Sequence, residues 1–283
     1  MKKSVLVLEG GAMRSLFTSG VLDVLMDNNI DIECTVGVSA GALVGSNYVS
    51  NQRGRTANIN INYCKNSKYI GIGAIKNNKG LVGFDYLFGE ISKKEDPFDE
   101  KAFYNSNKRF VIGATNCLTG KTEFFEKDED NIYTLLQASS SMPIVSRIVS
   151  IKGKPYLDGA IDCNIPIEWA IEQGYEKIVV VLTRNKEYRK EPISPKMKHI
   201  YQLSFKQYPK LLQSIYDRPN KYNSLYEKIE NLEKEKKIMV FQPNKAVNIS
   251  RLEKNQNKLR NLYNQGIEET QSRLTELKEY LEL

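Results

Sequence analysis

Histidine is almost missing from this chain: of its 283 residues only His199 carries an imidazole. That scarcity removes HExxH zinc sites and Cys/His clusters, and it leaves little material for chemistry built on a serine–histidine pair. Cysteine is thin as well. Cys34, Cys64, Cys117 and Cys163 stand singly with no CxxC pair, which argues against a disulfide framework and for reduced, buried thiols in a cytoplasmic protein. No metal and no cofactor is expected. Long apolar runs are missing too: the strongest, such as Ile178 to Leu182, fall far short of the roughly 20 residues that span a bilayer. Met1-Lys2-Lys3 has the basic start of a signal peptide, but Glu9 and Gly10 interrupt the apolar segment behind it. Ser4 to Leu8 therefore reads as a buried strand.

What the chain does have is alternation. Val5 to Leu8, Cys34 to Val38, Phe110 to Ala114 and Ile178 to Thr183 are short, rich in β-branched residues and free of polar alternation. Such runs are strands buried on both faces of a parallel or mixed sheet. Helical patterns lie between them. Ser15 to Asn28 carries Leu16, Val21, Leu22, Val24 and Leu25 on one broad face, and Ala40 to Val49 opens with small residues. The fold class is α/β, with helices layered on a mostly parallel central sheet. Glycine turns at Thr119-Gly120-Lys121 and Lys152-Gly153-Lys154 predict hairpins at the margin of the sheet. Asn51 to Lys108 reads as loops with short helices. From Leu252 to Leu281, apolar residues at mostly three- and four-residue spacings predict an amphipathic helix docked on its own protein, with dimerisation or partner binding as the alternative.

Charge is concentrated. The net charge is +7, and Arg184 to Lys221 alone holds ten Lys or Arg against three acids. Tyr188, Tyr201, Phe205, Tyr208, Tyr216 and Tyr222 interleave with these cations. A solvated helical face whose aromatics pack inward accounts for the pattern. Peripheral contact with an anionic membrane is the competing reading, and nucleic acid is not expected as a partner.

Gly37-Val38-Ser39-Ala40-Gly41 matches GxSxG in the context the motif requires, a strand before it and a helix after it. A sharp turn there strains the serine backbone, and the glycines two residues to either side remove bulk where the chain folds back. Ser39 is the candidate nucleophile, with an N-capping serine as the plain alternative. Glu9-Gly10-Gly11-Ala12-Met13-Arg14-Ser15 follows the first strand, so it should emerge at the same sheet edge as Ser39. Amides of Gly10, Gly11 and Ala12, with that of Ala40, are candidate oxyanion donors; Arg14 would steady the loop or attract an anionic head group. Neither GxGxxG nor GxxxxGK[ST] is present, which argues against a nucleotide loop. For the base, Asp158 ends a strand and is followed by Gly159 and Ala160, so its carboxylate can face the serine directly. Asp162 is the rival carboxylate. The order Ser39, Asp158, His199 also agrees with an α/β-hydrolase triad, although His199 sits in a helical, lysine-rich stretch.

Taken together, these pieces resemble the patatin-like phospholipase family from Val5 to about Thr183. The Gly10 to Ser15 run is similar to the family's GGGxRG loop, Gly37 to Gly41 to its nucleophile elbow, and Asp158-Gly159-Ala160 to its DG[GA] motif; Ser139-Ser140-Ser141-Met142-Pro143, Asn164 and Pro166 also resemble family stretches. The resemblance implies a three-layer α/β/α fold, a Ser39–Asp158 dyad without histidine, and hydrolysis of lipid acyl esters. A transacylase with the same dyad and a non-catalytic lipid-binding protein are the alternatives. Two departures stand out: Ala12 and Ser15 replace loop glycines, so a positive φ at either would be strained. Residues 1–183 form the expected catalytic core, and residues 184–283 an appended basic segment and helix packed on it.

Overall fold

The computed structural model describes residues 3–78 and 80–283; Met1 and Lys2 of the basic start lie outside the described residues. The four apolar runs form the middle of one eight-stranded sheet. They are β1 (Ser4–Leu8), β2 (Cys34–Val38), β3 (Arg109–Asn116) and β7 (Lys177–Val181), in the spatial order β3-β2-β1-β7, all parallel. The two glycine turns join antiparallel hairpins at the margin: β3 with β4 (Thr122–Glu126), and β5 (Val149–Ile151) with β6 (Lys154–Asp158). In the second, Lys152 and Gly153 both take positive φ, 48° and 77°, the conformation that matches a two-residue turn to strand twist.

Helices cover both faces. On one side lie α1 (Leu16–Asp27), α2 (Ala40–Val49), α3 (Arg55–Asn62), α4 (Ile72–Asn78), α5 (Glu100–Asn105) and α6 (Ile132–Ser140), with a π-type turn at Tyr86–Glu95. On the other lie α7 (Ile167–Glu172) and, further along the chain, α8 (Pro195–Phe205) and α9 (Pro209–Lys234). Strand alternation divides the core accordingly: Leu6 and Leu8 pack with Leu22 and Tyr48, while Val5 and Val7 pack with Ile167, Tyr222 and Tyr226. This is the three-layer arrangement.

The segment after Thr183 is more deeply built in than an appended helix. Ile238–Phe241 forms β8, which extends the sheet beside β7 in parallel register. The strand is only four residues long, too short a run for periodicity to tell strand from helix, so the sequence reading passed over it. The terminal stripe forms two helices, α10 (Gln256–Ser272), which docks on α1, and α11 (Leu274–Leu281), whose Tyr280 hydroxyl accepts from the Ile178 amide of β7 at 2.9 Å. The break falls at Arg273, whose guanidinium donates to Val240 O at 2.6 Å. Where α10 crosses α1, Gly20 and Gly266 let the two backbones touch: a Cβ on Gly266 would lie 2.1 Å from Phe17 O.

Strand register sets up the site. Leu8 pairs with Gly37, Val38 with Gly113, and Ala114 with Asp158. The chain segments leaving β1, β2 and β6 therefore reach the carboxyl edge of the parallel strands together, where ligands bind in open α/β sheets.

Candidate active site

Ser39 occupies the turn between β2 and α2 with φ 54° and ψ −131°, a region that residues with a side chain avoid. Its neighbours are glycine because of close approach. A Cβ on Gly37 would lie 2.8 Å from Ala42 N, and one on Gly41 would lie 2.6 Å from Leu8 O. The Ser39 side chain makes no capping hydrogen bond to α2, so the N-capping alternative fails. Its hydroxyl donates instead to Asp158 Oδ2 at 2.9 Å, and its amide donates to Ser139 Oγ at 2.7 Å. Ser139 in turn donates to Gly113 O at 2.7 Å, tying the turn to β3 from behind.

Asp158 is held on every side. Oδ1 accepts the Ala160 amide at 2.8 Å, its own amide donates to Ser141 O at 2.8 Å, and its carbonyl accepts from Thr115 Oγ1 at 2.9 Å. Burial raises its carboxyl above the ordinary aspartate range, opposed by the charge of Arg218, the Ala160 amide and the Ser39 hydroxyl. Gly159 is fixed by packing, since a Cβ there would lie 2.2 Å from Gly113 O. The rival Asp162 is engaged elsewhere, accepting from Lys221 Nζ at 2.6 Å and the Thr122 amide at 3.1 Å. His199 is exposed on α8, and neither carboxylate oxygen of Asp158 accepts from it. A conventional triad is not assembled.

One expectation for the glycine loop is corrected. The Gly10 amide donates to Asn164 O at 3.1 Å, so it is not free to serve as an oxyanion donor. Gly10 is needed for space, because a Cβ there would meet Ser39 Cβ at 3.1 Å. The amides of Gly11, Ala12 and Ala40 find no protein acceptor among the described residues. Ala12 does take a positive φ, 50°, whereas Ser15 sits at −65°; of the two departures from glycine, only the first is strained.

Glu9 escaped the sequence reading as a site residue, yet it anchors the loop. Its buried carboxylate accepts from Asn164 Nδ2 at 2.7 Å, Thr183 Oγ1 at 2.9 Å, the Thr183 amide and Tyr222 Oη at 3.0 Å. Those bonds join the ends of β1 and β7 to α9. The position of Glu9, directly ahead of two glycines at a strand end, was the available signal.

Two cavities meet at Ser39, sharing Ala12, Met142 and Arg251 as well. One, of about 100 Å³, is apolar, walled by Leu43, Ile59, Ile70, Phe84, Phe88 and Leu136. The other, of about 220 Å³, is polar, and Asp158, Arg14, Lys190, Arg218 and Tyr222 line it. Much of the basic segment thus turns inward: Phe205 and Tyr222 are buried, and Tyr188, Tyr201, Tyr208 and Tyr216 are partly so.

This geometry describes an α/β protein with a serine–carboxylate pair beneath a glycine loop. Residues 6–171 match the family model for patatin-like phospholipase, and residues 208–282 match a domain of unknown function, DUF6363. The chain belongs to the patatin-like phospholipase family. It is similar to the uncharacterized protein YjjU of Escherichia coli (strain K12), 31% identical over 183 residues, 63% of this chain and 51% of that protein. It is also similar to "Probable lipid hydrolase 463L" of Invertebrate iridescent virus 6, 24% identical over 61% of this chain and 64% of that one. The match therefore spans between half and two thirds of the length of these relatives. The crystal structure of VipD from Legionella pneumophila aligns over 96% of this chain and 67% of its own, with TM-score 0.40 and 12% identity.

Proposed function

We propose that the protein is a lipid acyl hydrolase in which Ser39 and Asp158 act as a catalytic dyad. The observation that carries the reading is the 2.9 Å hydrogen bond from Ser39 Oγ to Asp158 Oδ2, made by a strained serine beside free loop amides. Asp158 takes the hydroxyl proton as Ser39 Oγ bonds to the ester carbonyl carbon. The amides of Gly11, Ala12 and Ala40 hold the oxyanion. The carbon–alkoxy bond then breaks, and the alkoxide leaves with the proton carried by Asp158. Water repeats the sequence on the acyl-serine and releases a carboxylic acid. The apolar cavity suits the acyl chain and the polar one the alcohol portion of the ester. Passing the acyl group to another alcohol would make the same site a transacylase; a chain that only binds lipid would leave the dyad idle.

Residues 1–183 would be the catalytic core, with residues 184–283 completing the wall of the polar cavity. On α8, Lys196, Lys198 and Leu203 are exposed, the leucine at 66%, with Lys206 just beyond. This face supports peripheral docking of a cytoplasmic protein on an anionic membrane. Among the described residues no helix is long and apolar enough to cross one.

The test is labelling by a fluorophosphonate together with turnover of a panel of acyl esters. Wild-type protein is expected to label at Ser39 and release free acid. Ser39→Ala should abolish both, and Asp158→Asn should lower kcat by about 10²- to 10⁴-fold, the usual contribution of a general base. Labelling at another residue, or turnover surviving Ser39→Ala, would refute the dyad. Acyl transfer to an added alcohol in place of free acid would identify the transacylase.

A further inference from the structure

Apart from the charge that Arg218 and Arg251 lend to Asp158, the proposed chemical steps pass no bond or proton through the cations around the polar cavity. Arg14 of the glycine loop meets Arg184, Lys190, Arg218 and Arg251 there, four of the five contributed by the chain after Thr183. Three of their donor atoms, Arg14 Nε, Lys190 Nζ and Arg218 Nε, are sealed from solvent and find no acceptor among the described residues. Arg14 as a whole is only 9% exposed. The lysine ammonium lies 3.8 Å from the centre of the Tyr222 ring, a contact that offsets part of its desolvation without supplying an acceptor.

The carboxylates lining the cavity do not balance this charge. Glu9 is engaged by Asn164, Thr183 and Tyr222, and Asp158 by Ser39 and Ala160. Burial and the neighbouring arginines draw Lys190 well below the ordinary lysine range, and burial with the charge of Arg184 brings Arg14 down to about 10. Folded proteins rarely leave buried donors unmatched, and clustered like charges oppose folding. An arrangement of this kind is relieved when a multiply charged anion with several acceptor oxygens occupies it.

We infer that Lys190 and Arg218, with Arg14 and Arg251, form a binding site for a phosphoryl anion beside Ser39. Resting on the reading of the dyad above, the site selects acyl esters whose alcohol portion carries phosphate: acyl chain in the apolar cavity, phosphate among the cations. A head group ending in a quaternary ammonium finds no free carboxylate there, so anionic head groups are favoured over zwitterionic ones.

Binding is tested apart from turnover, by calorimetric titration of the full-length Ser39→Ala protein with inorganic phosphate and with glycerol 3-phosphate at fixed ionic strength. Saturable binding of one anion per chain is expected. Adding Lys190→Met and Arg218→Met should weaken it by at least about tenfold, as loss of charge-assisted hydrogen bonds requires. The melting temperature should hold or rise, since buried like charges have been removed. If the double change prevents folding, Lys190→Gln alone should still weaken binding severalfold.

The source of the phosphoryl group is read in the wild-type enzyme. Phosphate that raises KM for an acyl glycerophosphate but leaves turnover of a neutral acylglycerol unchanged points to a head-group site. Phosphate that alters both alike points to a free phosphate ligand. No saturable binding of either probe, or affinity unchanged by the double substitution, overturns the site. Because these titrations need no catalysis, failure here with Ser39 still reactive leaves the dyad standing, and binding with Ser39 inert does the reverse.

Discussion

Replacing Ser39 by alanine and by glycine should give two inactive proteins of different stability. Both changes delete the hydroxyl and its hydrogen bond to Asp158, so that loss cancels between them. What remains is the backbone, held at φ 54° and ψ −131° by the fold of β2 into α2. A side chain in such a conformation costs about 1–3 kcal/mol, and glycine removes the cost. Glycine also gives the unfolded chain more freedom, which returns about 0.4–1 kcal/mol. The difference leaves Ser39→Gly more stable than Ser39→Ala by about 1–2 kcal/mol. With an unfolding entropy near ~2.1 cal/mol/K per residue over 283 residues, the midpoint should differ by about 2–3 °C. Urea unfolding curves and calorimetric midpoints of the pair measure this directly. An alanine variant as stable as the glycine one, or more so, would refute the claim that the fold stores strain at this serine.

The remaining predictions concern charge and packing. Only ionised Asp158 can accept the Ser39 proton, and burial raises its carboxyl, so kcat/KM toward a neutral ester should fall with acid at a pH above the ordinary aspartate range. Arg218 and Arg251 oppose that rise, together with the Ala160 amide and the Ser39 hydroxyl; Arg218→Met should therefore move the acid limb to higher pH, and a move to lower pH would contradict the assignment. Gly266→Ala places a Cβ 2.1 Å from Phe17 O on the backbone of α1. The two helices must separate, at about 1–3 kcal/mol of stability, while fluorophosphonate labelling of Ser39 at low temperature should persist; an unchanged melting temperature would show that the crossing yields freely.

The parts of this molecule that could be read in advance are those whose physics is local. Strands buried on both faces announce themselves as unbroken apolar runs, and all four such runs occupy the middle of the sheet. The turn at Ser39 was legible because its glycines answer to contacts within a few residues or one strand away. The Gly10 amide was misjudged for the opposite reason: its acceptor, Asn164 O, is brought in from a distant part of the chain, and no pattern near residue 10 signals that. β8 was missed because a run of only four apolar residues, Ile238 to Phe241, looks alike in a strand and in a helix. Glu9 and Ser139 act through partners on other elements, so the neighbourhood of Glu9 said only that something polar lay at a strand end, and that of Ser139 only that a serine run closed a helix.

The basic segment shows how much a composition signal leaves open even where its aromatics pack inward as the pattern suggests. Ten cations with interleaved aromatics read as a solvated face with its aromatics turned inward, or as a membrane contact, and on α8 the lysines are indeed exposed. Yet Lys190 and Arg218 face a cavity that also holds Ser39 and Asp158, and Tyr222 of the same segment reaches Glu9 beneath the glycine loop. Arg218 lies close enough to Asp158 to oppose its protonation. Cutting the chain after residue 183 would remove this charge together with β8 and the α10 helix docked on α1. The proposed base would then lose the cations that favour its ionised form. In this reading the segment after Thr183 belongs to the site's electrostatics as well as to its wall, so the pH at which Asp158 works is set partly outside the region that matches the family.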